Sequence, residues 1–346
     1  MSISPTFALC HATRPEPPAW LLLFDVMGVS LTLFKAFGRA VGAGASWFSP
    51  GSGVTERIGI IGGSGLGEEL LSSGQGQAVE IQTPFGPPSA PPILAEWQGI
   101  PVAILARHGP GHCFNPTQVP YRANIFAMKV LGCRWILASG AVGSLDDAVE
   151  PRDLVLVDQA IDRTVHRPRT FFEEAAVHVD FADPICPELR EIVVQACDEL
   201  ENGVKIHRQG TYVCMEGPAF STRAESLLHK SWGGDVIGMT LMPEAKLARE
   251  AEIAYASIAL VTDFDCWRPH PPGKPLGELL KEIISHLHSA SDSARELIRA
   301  AIPQIWAARE REFASQRSLA LGIWSDKSRI APEVKLKLAP LWGRYF

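Results

Sequence analysis

Apolar residues fall along this chain in two rhythms that take turns. Unbroken apolar runs stand at IGII (58–61), VAILA (102–106), WILA (135–138) and YASIALV (255–261). A strand with one wet face alternates at every second position, so unbroken runs read as strands buried on both faces, the habit of a mostly parallel sheet. DLVLVDQAID (153–162), TYVC (211–214) and DVIGMT (235–240) read as further strands. Between them the period lengthens to that of a helix. Residues 120–131 carry Ile125, Met128 and Leu131 on one face, with Pro120 at the start and Gly132 as the stop. Residues 187–203 turn Leu189, Ile192, Val193, Ala196 and Leu200 inward. Thr222 and Glu225 have capping-box spacing, Pro243 opens a helix carrying Ala245, Leu247 and Ala248, and a long helical pattern covers 276–308. Strands alternating with helices predict an α/β fold, a central mixed β-sheet flanked by helices.

The chemistry concentrates where strands end. Residues 255–267 (YASIALVTDFDCW) run from a buried strand into two aspartates one residue apart. On a period of two, Asp263 and Asp265 project to the same side at the carboxyl end of the strand, where open α/β sheets bind ligands. Neighbouring carboxylates push at least one pKa upward, so one can donate a proton while the other accepts; a solvated turn or helix cap is the plain alternative. The first strand runs into Gly62, Gly63, Ser64 and Gly65, whose backbone can approach an anion closely. The second ends in Arg107 and His108, the third in the Gly/Ser loop SGAVGS (139–144), and 235–240 in Met239 and Thr240. Arginine is the side chain suited to bidentate oxyanion contact.

Composition narrows the partners. The 346 residues are 46% hydrophobic, with net charge −6 and no long basic cluster, which argues against a nucleic-acid partner. Seven scattered cysteines without a Cys-x-x-Cys pair point to neither a disulfide framework nor a zinc knuckle, and fit a reducing cytoplasm. HGPGH (108–112) carries Gly and Pro and does not make a helical metal pair. Residues 1–56 differ in character, Pro-rich and then Gly/Ser-rich; their apolar stretch is too short for a membrane span and includes Asp25, so no membrane partner is expected. The expected division is an N-terminal extension (1–56), a single domain (57–310) and a C-terminal extension (311–346).

Taken in order, IGIIGGSGL, TPFGPPSAP, ARHG, SGAVGS, IDRTVHRP, EGPAFSTRAE, IGMTLMPEA and TDFDCW resemble the 5′-methylthioadenosine branch of the trimeric purine nucleoside phosphorylase family, over roughly residues 57–303. The resemblance implies a nucleoside phosphorylase fold, a homotrimer, and phosphorolysis of methylthioadenosine to adenine and methylthioribose 1-phosphate, with inorganic phosphate as co-substrate and no cofactor or metal. It assigns Ser64, Arg107, His108 and Thr240 to phosphate, joined by backbone from Ser139, Gly140 and Ala141. It sets Phe220 and Met239 against purine and ribose, Asp263 at purine N7, and Asp265 at the 6-amino group. His178 matches a histidine lent by a neighbouring subunit near the sugar 5′ end, and Leu276, Leu279 and Leu280 match an apolar wall for the methylthio group. Gly140 departs from animal-type members, which carry a threonine there.

The residues agree with that chemistry. Cleaving a ribosyl C–N bond builds positive charge on the sugar and negative charge on the purine, so a proton donor at N7 and an anion beneath C1′ act chiefly in the transition state. Three alternatives stay open: a phosphorylase for 6-oxopurine nucleosides or methylthioinosine, a nucleosidase using water, and a non-catalytic nucleoside-binding protein. The carboxylate at 265 favours adenine over the first, the anion-binding set speaks against the second, and retention of both aspartates speaks against the third.

Overall fold

The computed structural model describes residues 55–62, 75–201, 203–269 and 274–346, all within the unit Trp47–Phe346. Its strands are β1 (Arg57–Gly62), β2 (Gly76–Ala78), β3 (Ile93–Trp97), β4 (Ile100–Ala106), β5 (Cys133–Ser144), β6 (Leu154–Leu156), β7 (Gln159–Asp162), β8 (Ile206–His207), β9 (Thr211–Cys214), β10 (Val236–Gly238) and β11 (Ala254–Phe264). Its α-helices are α1 (Tyr121–Val130), α2 (Pro187–Ala196), α3 (Arg223–Ser231), α4 (Leu241–Glu250), α5 (Leu276–Ala307), α6 (Pro332–Lys337) and α7 (Ala339–Trp342).

One mixed sheet contains all these strands. Its main path runs β2-β3-β4-β1-β5-β10-β9-β7, and a branch carries β11, β6 and β8. β5 is the junction. One edge pairs in parallel with β11, from Ala254 opposite Trp135 to Phe264 opposite Ser144. The other edge pairs with β1 as far as Ala138, and with β10 only at Gly143 and Ser144. Between those partners, 139–142 leave an edge unpaired by strand among the described residues. The first nine residues of β11 are buried, as an unbroken apolar run requires. α5 covers the sheet with Ala290, Ala294, Leu297, Ile298, Ala301, Ile302 and Ile305.

Three expectations are corrected. The run 153–162 is two strands: β6 joins β11 and β8, while β7 joins β9, and the break is held by Asp158, whose Oδ1 accepts from the Gly210 N–H at 2.9 Å. The Gly/Ser stretch 139–144 is not a loop but the second half of β5, because pairing with β11 outweighs the poor strand preference of glycine. The segment 311–346 is no appendage. Phe313, Leu319, Leu341 and Trp342 are buried in the main core, Phe313 against Trp135 of β5 and Trp342 against Phe172 at 4.8 Å. Its end is fastened to the buried Glu252, which takes Arg344 Nη2 at 2.8 Å and the Tyr345 hydroxyl at 2.6 Å. No helix among the described residues is long and apolar enough to cross a membrane.

Two predictions follow from the packing of the tail. Trp342→Ala should cost about 3–5 kcal/mol in denaturant unfolding, the usual toll for emptying a buried aromatic site. Nearby, Glu250 is buried and its Oε2 accepts the Phe171 N–H at 2.8 Å; burial pushes the carboxyl up to about 7 from 4.5, the hydrogen bonds opposing. A raised carboxyl contributes stability that is full below about pH 4.5 and lost as pH rises through about 7. Glu250→Gln, compared with the parent by melting at pH 4.5 and pH 8, should therefore gain up to about 3 kcal/mol relative to the parent across that interval. A pH-independent difference would refute the assignment.

Candidate active site

Arg107 follows β4 and lies in the interior, 3% exposed. Glu244, at the start of α4 and fully buried, takes its Nε at 2.7 Å and its Nη2 at 2.8 Å. Nη1 donates to the Ser139 carbonyl at 2.7 Å, on the edge of β5 that β1 has left. Burial opposes the guanidinium's charge, but the Glu244 carboxylate and its hydrogen bonds outweigh that and hold the pKa above the ordinary arginine value. Gly140 faces the same space: a Cβ there would sit 3.2 Å from Thr240 Oγ1 and 3.7 Å from Arg107 Nη1. Arg107, Ser139, Gly140 and Thr240 therefore converge as expected, with Ala141 exposed beside them. Ser64 lies outside the described residues, although the described end of β1 abuts Ser139: a Cβ on Gly62 would come within 2.7 Å of its Oγ.

His108 is held by a bond from Nδ1 to the Phe114 carbonyl at 2.9 Å, and its ring stacks on His112 at 4.1 Å. A carbonyl only accepts, so Nδ1 carries the hydrogen and Nε2 of the neutral ring is an acceptor. Burial pushes the imidazole down to about 4, with Arg107 and the stacked His112 adding to the effect against the Phe114 bond and Glu244.

The two aspartates stand at the end of β11, past a register shift between Val261 and Asp263. The Thr262 hydroxyl lies 2.7 Å from Asp263 Oδ1 and 3.1 Å from the Val142 carbonyl. Asp265 is fixed through its backbone N–H to the Ser144 carbonyl at 3.1 Å; the side chain is 9% exposed, and its buried Oδ2 has no hydrogen-bond partner among the described residues. Such an acceptor is costly unless something supplies a donor. The residues that follow are stapled down: Trp267 Nε1 donates to the Ser144 carbonyl at 2.8 Å, and Trp267 N–H to Ser226 of α3. α3 itself starts with the expected Thr222–Glu225 capping box. His286 Nδ1, 2.8 Å from the Thr262 carbonyl, ties α5 to the same strand end.

The apolar set is looser. Met239 is half-buried and approaches Gly217 so closely that a Cβ there would fall 2.6 Å from its sulfur; with φ +67°, that position suits glycine on both counts. Phe220 is 85% exposed, Leu280 is exposed and Leu279 half-buried, while the side chain of Leu276 lies outside the described residues. His178 is exposed on a segment bridged to Ile323, its ring 4.6 Å from Trp324. Within one chain, those contacts join it to the C-terminal segment rather than to Arg107 or Asp263.

Residue-by-residue reading of the sequence missed Glu244, Tyr255 and Arg167. Tyr255 of β11 donates its hydroxyl to Glu244 Oε1 at 2.9 Å. Arg167, within IDRTVHRP, is buried and donates to the carbonyls of Met239 (2.5 Å), Met242 (2.6 Å) and Glu216, and to the Glu216 carboxylate at 3.1 Å. It thereby fixes the turn that presents Met239 and Thr240. The available sign was a charged residue set among apolar neighbours at a Pro turn in LMPEA, and two arginines in one short motif.

A family profile described as Phosphorylase superfamily matches residues 57–303. The chain is 46% identical over 292 residues to the S-methyl-5′-thioadenosine phosphorylase of Gloeobacter violaceus, covering 84% of this chain and 96% of that one. It is also similar to the crystal structure of a methylthioadenosine phosphorylase from an antarctic soil metagenomic library, with TM-score 0.77, 44% identity, and coverage of 84% and 99%. The methylthioadenosine phosphorylase of Schistosoma mansoni, solved with tubercidin, aligns with TM-score 0.69 at 34% identity over 78% of this chain and 99% of that one.

Two measurements check the geometry. Nitrogen NMR of His108 at pH 7 should show the neutral ring protonated on Nδ1 with titration only near pH 4; a midpoint near 6.5 would contradict it. Arg167→Ala should lower stability by about 3 kcal/mol or more in chemical denaturation, since Glu216 and several carbonyls lose their donor together.

Proposed function

The chain belongs to the phosphorylase superfamily and, within it, to the S-methyl-5′-thioadenosine phosphorylases, and on that premise we propose the following assignment of roles for its reaction, the phosphorolysis of 5′-methylthioadenosine to adenine and 5-methylthioribose 1-phosphate. In this reading the C1′–N9 bond breaks with its electron pair passing to the purine. Asp263 meets N7 as the proton donor, and a phosphate oxygen forms the new bond to C1′. A proton on Asp263 lets it donate to purine N7, or to Thr262 when the site is empty, in which case the one hydrogen of Thr262 is free for the Val142 carbonyl. Phosphate lies between Arg107, Thr240 and the free edge of β5 at Ser139, Gly140 and Ala141, with Ser64 joining by resemblance. A neutral His108 offers Nε2 to a protonated phosphate oxygen. No metal or organic cofactor enters the scheme.

The observation that carries the choice of base is the buried Oδ2 of Asp265, which has no hydrogen-bond partner among the described residues. A 6-amino group supplies the donor it lacks, whereas a 6-oxo group would set two acceptors against each other. Met239 and Phe220 then face purine and ribose, and Leu276, Leu279 and Leu280 the methylthio group. Phe220, open to solvent in one chain, and the exposed pair His178 and Trp324 suit an assembly in which each site borrows from a neighbour; we assign the homotrimer on that basis and on the resemblance, and a cytoplasmic location on the scattered cysteines.

Adenine release from methylthioadenosine should depend on added phosphate; phosphate-independent turnover would return the nucleosidase reading. Asp265→Asn should lower the specificity constant for methylthioadenosine and raise that for methylthioinosine relative to it, by about ten- to a hundredfold in the ratio. Asp263→Ala should slow both substrates by about 10²- to 10⁴-fold. An unchanged adenine-to-hypoxanthine ratio in Asp265→Asn would overturn the role given to Asp265.

A further inference from the structure

A guanidinium has five N–H groups, and the sequence invites a picture in which Arg107 turns its fork on the anion. The geometry gives the fork another owner. Nε and Nη2 face the two oxygens of Glu244 at 2.7 and 2.8 Å, the second Nη2 hydrogen leans toward the Ile61 carbonyl at 3.5 Å, and one Nη1 hydrogen goes to the Ser139 carbonyl at 2.7 Å. What remains is the other Nη1 hydrogen, on the Arg107 atom 3.7 Å from where a Cβ of Gly140 would sit, a position itself 3.2 Å from Thr240 Oγ1. Glu244 is in turn held by the Tyr255 hydroxyl on Oε1.

We propose that Glu244, steadied by Tyr255, is the positioning residue of the anion site: it fixes the guanidinium of Arg107 in one orientation and leaves it a single N–H for phosphate. The proposal rests on the reading of this site as the phosphate site. Glu244 touches no substrate; it acts through Arg107. Because the two buried side chains cancel each other's charge, the site holds its anion by directed donors more than by net positive charge. The role differs from general structural support in its signature, since a misaligned Arg107 weakens phosphate and leaves the nucleoside half of the site alone.

The test uses the full chain and three variants, with inorganic phosphate as the probe. In Glu244→Gln the amide NH2 faces an arginine N–H, so one arm of the clamp is lost; KM for phosphate should rise about ten- to a hundredfold, while KM for methylthioadenosine, and kcat at saturating phosphate, stay within about threefold. Glu244→Asp should fall between the parent and Glu244→Gln. Tyr255→Phe keeps the ion pair and loses only the hydroxyl; it should raise KM for phosphate about threefold to tenfold, and it decides the matter if Glu244→Gln does not fold. A KM for phosphate unchanged or lowered in folded Glu244→Gln, or unchanged in Tyr255→Phe, overturns the proposal, as do equal losses for both substrates. Titration of phosphate into the nucleoside-free parent by calorimetry separates the two levels: no binding there sinks the phosphate reading itself, whereas parent binding with unaffected variants sinks only the clamp.

Discussion

The parallel pairing of β5 with β11 is the constraint on which the site depends. β11 puts Asp263 opposite Gly143, Asp265 just past its end bonds the Ser144 carbonyl, and β5 passes Ser139 to Ala141 along the same ladder. Because β11 occupies one edge of β5 for the whole of this stretch, the backbone left open among the described residues is on the opposite edge, between the last partner in β1 and the first in β10. Into that gap come Arg107, from the end of β4, and Thr240, from the end of β10. A single register thus sets the distance between the carboxylates and the proposed anion site. A slip of one residue would reverse which side chains face the cleft.

Electrostatics inside this frame are economical. Glu244 against the guanidinium holds Arg107 charged in the interior, burial with Arg107 close by keeps His108 neutral, and Asp265 has an oxygen without a partner among the described residues. On the roles proposed above, each group meets one partner with little to reorganise, the usual condition for a site that spends its binding energy on a transition state.

Much of this was legible in the sequence where burial and polarity collide. An apolar run that halts at Asp263, or at Arg107 and His108, is an anomaly whose natural resolution is a ligand, and the capping box at Thr222 and Glu225 is a local rule obeyed locally. What escaped notice was set by partners far away along the chain. Glu244 and Arg107 are 137 positions apart, and nothing at either position names the other. Residues 139–144 look like a loop because glycine and serine favour loops; β11, more than a hundred residues later, pairs along all of them and makes them a strand, with β10 joining at the last two. The tail looked detachable because its charges are mixed, although Phe313, Leu319 and Trp342 are buried in the core.

The placement of that tail bears on how the protein comes into being. Trp135, in the most central strand, is covered by Trp306 and Phe313, while Arg134 hands a hydrogen bond to the Arg309 carbonyl, all emerging from the ribosome some 170 residues after the strand they cover. β1, β4 and β5 can pair during synthesis, but their outer face stays greasy until the last turns have been made. The covering of that face is therefore a late event in the life of the nascent chain, and a message that ended before Trp306 would release a sheet with Trp135 bare, the kind of surface that chaperones hold and proteases remove.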